Sequence, residues 1–137
     1  MVDKAKRLVA ANLIEEFVSC RITNFRFRDR FPHSEDRALH AIYSMLWFAY
    51  DDLREHRLEG KRALTDETRD IFERSVLFLR TEIEYSGPAN FVSLTASFKR
   101  VWMRIVGKKE RQDPLSTVWP FDSTEQLEHA RGMKSKT

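Results

Sequence analysis

The sequence predicts an all-α, single-domain protein: an antiparallel bundle of about four helices with an extended aromatic C-terminal arm and a short final helix. Three observations carry that expectation. Apolar residues recur at helical spacing through most of the chain. Gly and Pro number only four each. Ser34 and Thr65, residue types that start helices, are each followed by a pair of acidic residues suited to a first helical turn. A length of 137 residues allows one domain with a real core, and 42% apolar with 33% charged residues excludes the disordered and fibrous classes.

The first helix is expected over residues 3–31, ended by Pro32. Val9, Leu13, Phe17, Cys20, Phe27 and Phe31, joined by Ala10, Ile14, Val18 and Phe25, make one broad apolar face. Residues 25–31, FRFRDRF, alternate Phe and Arg with the period of a strand. No Gly, Pro or turn cluster separates them from the helix before, and a lone strand would lack a partner, so the helical reading is preferred.

A second helix is expected to be capped by Ser34 and to run to about Leu58, with Leu39, Ile42, Tyr43, Leu46, Tyr50 and Leu53 facing the core. Within it, MLWFAY is apolar all round. Trp47 and Phe48 lie at or beyond the edge of the core face, which places this stretch centrally or against another chain. Gly60 marks the connection, read as a helix C-cap region. Thr65 caps a third helix with Asp66 and Glu67 in its first turn; Ile71, Phe72, Val76, Leu79 and Ile83 form its core face, with Phe78 at the edge. Tyr85-Ser86-Gly87-Pro88 ends it. A fourth helix, beginning between residues 89 and 93, carries Leu94, Phe98, Val101, Trp102 and Ile105 on one side and stops near Gly107. QDPLSTVWPFDS then reads as the arm, and EQLEHAR, capped by Asp122 or Ser123, as the final helix. Residues 1–111 are the bundle and 112–137 an arm of the same domain.

The net charge of +3 does not by itself imply a nucleic-acid partner, but residues 99–111 hold six Lys/Arg against one Glu. Arg100, Arg104, Lys108 and Arg111 recur at i, i+4, i+8 and i+11, opposite the apolar side. Such a stripe can neutralise phosphates, meet an acidic protein or lie on an anionic membrane; a solvated helix face is the plainer reading. No RNA-binding aromatic motif or helix-turn-helix accompanies it.

Arg21, Asn24 and Arg28 fall inside the apolar arc of the first helix, and Glu82 inside that of the third. They are read as an internal ion pair between helices, with a pocket for a carboxylate or phosphate as the alternative. Asp52 and His56 stand at i, i+4, but one Asp/His pair lacks the further ligands of a transition-metal site, so no metal and no cofactor are expected. The single cysteine, Cys20, excludes an intramolecular disulfide, suits a reducing compartment and reads as a buried thiol. There is no Gly-x-Ser-x-Gly, Walker loop or Gly-x-Gly-x-x-Gly, hence no recognisable catalytic apparatus. No apolar run approaches the roughly 20 residues that span a bilayer, and the first residues are unlike a signal peptide, so a cytoplasmic protein is expected.

Trp119 and Phe121 in the arm either cover the bundle or anchor it in a partner; covering is preferred, because large aromatics left in water are a liability. The function expected is a non-catalytic protein–protein interaction module, an adaptor, regulator or neutralising partner, that binds another protein or a second copy of itself. Its candidate surfaces are Trp47, Phe48, Trp119, Phe121 and the basic stripe. The alternatives are a nucleic-acid-binding accessory protein using the stripe, and a small-anion or metal-binding bundle. Removing residues 113–137 is expected to lower the melting temperature or change the oligomeric state; calorimetry and sedimentation check both.

Overall fold

The structure, a computed structural model, describes residues 1–47, 53–87 and 118–135. Among the described residues it is helical and contains no strand. The elements are α1 (Lys4–Val18), α2 (Asn24–Arg30), α3 (Arg37–Trp47), α4 (Asp66–Leu79) and α5 (Thr124–Ser135), with a short 3-10 turn at Gly60–Arg62. None of the described helices is long and apolar enough to cross a membrane.

FRFRDRF is helical through Arg30, within α2, with Phe31 as its extended C-cap, but the single helix expected over 3–31 is two helices. The Cys20 N–H reaches the Phe17 carbonyl at 3.1 Å and the Arg21 N–H reaches the Glu16 carbonyl at 2.9 Å, while Cys20 takes φ 64°. These two bonds form a Schellman motif, whose left-handed residue is usually Gly. A cysteine in that role leaves no breaker in the sequence. The chain restarts at Thr23, whose side chain accepts the Arg26 N–H at 3.3 Å.

The other elements differ from expectation at their ends. Asp36, not Ser34, starts α3: its Oδ1 accepts the Ala38 N–H at 3.1 Å. Ser34 instead supports Asp36, accepting its N–H at 3.1 Å and donating to Asp3 Oδ2 at 3.0 Å. The second helix does not reach Leu58, since residues 53–58 are not helical and Leu53 is 85% exposed. Tyr50 lies outside the described residues. Gly60 opens the 3-10 turn with φ 58° rather than closing a helix. Thr65 caps α4 as expected, accepting the Thr68 N–H at 3.2 Å, but α4 ends at Leu79, so Ile83 packs from a non-helical segment.

The core face of α1 is Arg7, Ala10, Ala11, Leu13, Ile14 and Phe17, while Val9 turns out to be 51% exposed. This face packs chiefly against α4, where Ile71, Phe72, Ser75, Val76, Phe78 and Leu79 are buried. Phe17 and Phe27 stack with centroids 4.7 Å apart, which joins α2 to the same core. Asn24 is buried and bonds the facing segment three ways: its N–H to the His56 carbonyl at 2.9 Å, its Oδ1 from the His56 N–H at 2.8 Å, and its Nδ2 to the Arg54 carbonyl at 3.0 Å.

Within this core lies a charged pair. Arg7 and Asp36 have side chains 0% and 1% exposed, with Nε 2.6 Å from Oδ2 and Nη2 3.1 Å from Oδ1. Arg7 Nη1 also donates to the carbonyls of Thr81 at 3.1 Å and Ile83 at 2.9 Å. Asp36 Oδ2 takes a further bond from the Asp3 N–H at 2.9 Å. Burial opposes ionisation of Asp36, but the hydrogen bond from Arg7, the backbone N–H groups and the Arg7 charge outweigh it, holding its carboxyl below the usual range. Breaking one side of such a pair leaves an uncompensated buried charge. Arg7→Met and Asp36→Leu are each expected to cost about 3–5 kcal/mol in urea unfolding, with the double variant losing less than the sum. Because the native pKa of Asp36 is depressed, its stabilisation is present above the unfolded value of about 3.9 and is lost as pH falls through the native one. Acid unfolding of Asp36→Asn should lack that step.

Candidate functional site

Arg21, Arg28 and Glu82 do not form the internal pair or pocket expected of them. Arg21 is exposed, with Nε donating to Ser19 Oγ at 3.2 Å. Arg28 Nε donates to Asp29 Oδ1 at 3.2 Å, and its guanidinium lies 4.7 Å from the centroid of Phe25. Glu82 is exposed and lies 2.8 Å from Lys4 Nζ, whose hydrogen bond and charge hold the carboxyl below its usual range. The physical reason is that α1 ends before Arg21 and α4 before Glu82, so a helical projection carried through those breaks no longer applies. Asn24 is buried as expected, but it serves the backbone of residues 54–56.

Trp119 and Phe121 are each 3% exposed, so neither is available as an anchor for a partner. Their burial follows from α4. Arg74, itself buried, donates from Nε to the Trp119 carbonyl at 2.9 Å and pairs with Asp70 one turn earlier. Phe121 meets Phe78 edge-on at 5.2 Å, and Trp119 Nε1 donates to Tyr85 Oη at 2.9 Å. Gly87 allows Tyr85 its position, because a Cβ there would lie 2.6 Å from the phenol oxygen. Ser123 then caps α5, accepting the Gln126 N–H at 3.2 Å, and Leu127 and Ala130 are buried from it. Trp47 is half-buried against the core. Phe48 and Asp52 lie outside the described residues, as do Arg100, Arg104, Lys108 and Arg111. His56 is not helical, and among the described residues no three His, Cys, Asp or Glu side chains gather as a metal site would require.

Among the described residues a groove of about 590 Å³ opens between α1 and α4. Val18 and the edge of Val76 supply its accessible apolar floor, above the fully buried Phe72, and Glu15, Arg21, Arg69 and Glu73 its charged rim. Arg80 pairs with Glu15 at that rim. Of the charged residues only Arg21 stood out in the sequence, where Val18, Phe72 and Val76 were read as core-facing. Arg69 and Glu73, like Phe72 and Val76, are four apart on α4, which places both pairs on one side of the helix. That spacing was readable; the gap beside it required the position of α1. The volume lies within the range of ligand-binding clefts.

No protein-family model, curated protein or solved structure matches the chain. Function therefore rests on the geometry alone.

Two measurements test the buried seat of Trp119. Trp119→Ala should cost about 3–5 kcal/mol. Burial pushes the Tyr85 phenol up from 10.0 to about 12, outweighing the lowering by the Trp119 hydrogen bond and by Arg37. A raised native pKa gives stability that is complete below the unfolded value and lost as pH rises through the native one. Wild-type stability should accordingly fall between pH 10 and 12 by a step that Tyr85→Phe lacks.

Proposed function

We propose that the protein is a non-catalytic interaction module that receives an amphipathic segment of another protein in the α1/α4 groove. This reading takes residues 1–111 as an antiparallel bundle and 112–137 as an arm folded onto the same domain. The observation that carries it is an apolar floor of Val18 and the edge of Val76, backed by the buried Phe72, beneath a rim of both charge signs. An apolar strip on a partner helix would bury itself on that floor, as amphipathic helices do in grooves. Arg21 and Arg69 would meet its acidic side chains and Glu73 its basic ones; complementary charge of this kind sets orientation and partner choice more than raw affinity. The Arg7–Asp36 pair braces the far end of the α1/α4 packing, and a groove between two packed helices would lose little on ordering.

A photo-crosslinking residue placed at Glu73 in the native host should yield a discrete adduct with one other protein, absent when the probe stands at Arg30. The Arg69→Glu/Glu73→Arg variant should weaken that complex about tenfold. No adduct at Glu73, or the same adducts from both positions, would overturn the reading. An adduct of twice the chain mass would replace it with self-association.

A further inference from the structure

A second, smaller cleft, of about 190 Å³, opens between α2 and α3 and the turn joining them. Arg28, His33, His40, Tyr43 and Ser44 line it, with Phe31 on the apolar side. No carboxylate is among its lining residues. Of the acids nearest in sequence, Asp29 accepts Arg28 Nε, Asp36 faces inward to Arg7, and Glu35 is exposed outside the lining. Lys6 adds a further positive charge, its Nζ donating to the His33 carbonyl. The Arg28 guanidinium is steadied by Phe25 and Asp29, while its two Nη groups and the rings of His33 and His40 make no hydrogen bond to other described residues. The Ser34 hydroxyl, by contrast, is occupied by Asp3 and the Asp36 N–H.

We propose that this cleft binds the phosphate group of a small phosphate monoester. A monoester presents three terminal oxygens, which matches donors arriving from Arg28, His33 and His40; a carboxylate presents only two. Charge-assisted bonds from a guanidinium fork are the strong members of such a set. The ester-bearing side of the ligand rests against Phe31 and Tyr43, whose centroids are 4.9 Å apart. The volume is below the roughly 300–1,000 Å³ of drug-sized sites. A compact ligand is therefore selected over a nucleotide.

The test titrates the full chain with phenyl phosphate, inorganic phosphate and benzoate while the ring signals of its four histidines are followed by NMR. Phenyl phosphate should move His33 and His40 and leave His56 and His129 in place. It should bind about threefold or more tighter than inorganic phosphate and than benzoate. Arg28→Gln and His40→Gln should each weaken binding about tenfold, while Arg30→Gln, an exposed neighbour outside the cleft, should change it less than about twofold. Arg28 and His40 are exposed, so these variants should keep the wild-type melting temperature, measured alongside. The proposal is overturned if all four histidines move together, if Arg30→Gln matches Arg28→Gln, if benzoate or inorganic phosphate binds as well as phenyl phosphate, or if no shift appears by about 20 mM.

Discussion

The buried Arg7–Asp36 pair is the constraint on which the rest of the described fold depends. Arg7 leaves the first turns of α1 and reaches Asp36 at the start of α3 and the carbonyls of Thr81 and Ile83 just after α4. Asp36 uses its second bond on each oxygen to hold Asp3 and Ala38, the chain entries to α1 and α3. Three helix ends are thereby fixed around one charge pair. Desolvating two ions is costly, and the pair persists because its hydrogen bonds are nearly all made within the protein. The Arg7 guanidinium also lies 5.3 Å from the centroid of Phe78, so the polar node is continuous with the aromatic core.

The segment around Trp119 is secured by the same device. Arg74 binds the carbonyl of Trp119 as Arg7 binds those of Thr81 and Ile83. In each case a buried arginine on a helix satisfies backbone carbonyls in a stretch that has no helical bonds of its own. Irregular backbone can then be packed on the core without leaving acceptors unpaired. Trp119 and Phe121 are drawn inward by this arrangement. They therefore do not project, and both proposed sites are clefts between described helices that combine apolar with charged side chains.

Much of the local structure was legible. The Thr65 cap and the Ile71, Phe72, Val76, Leu79 face of α4 follow from spacing, while the helicity of FRFRDRF followed from the lack of a strand partner rather than from its own period. The break at Cys20 was not, because a Schellman turn built on cysteine carries no glycine to announce it. That single unseen break displaced the projected positions of Arg21 and Arg28. Arg7 was also readable in principle, since it shares a helical face with Ala10, Ala11 and Ile14. A basic residue near a chain start instead reads as solvated, and nothing local points to its acceptor 29 positions away.

What the sequence alone determined is the helical class, the apolar face of α4, the Thr65 cap and the burial preferred for Trp119 and Phe121. These depend on neighbours within a few residues, or on the cost of leaving large aromatics in water. Only the tertiary structure decided which arginines are buried, where the long helices break, and that charged and apolar side chains from α1 and α4, or from α2 and α3, enclose a cleft. Burial of a charge depends on a partner brought from far along the chain, and a cleft depends on the space between elements. Neither quantity is encoded in the spacing of any single segment.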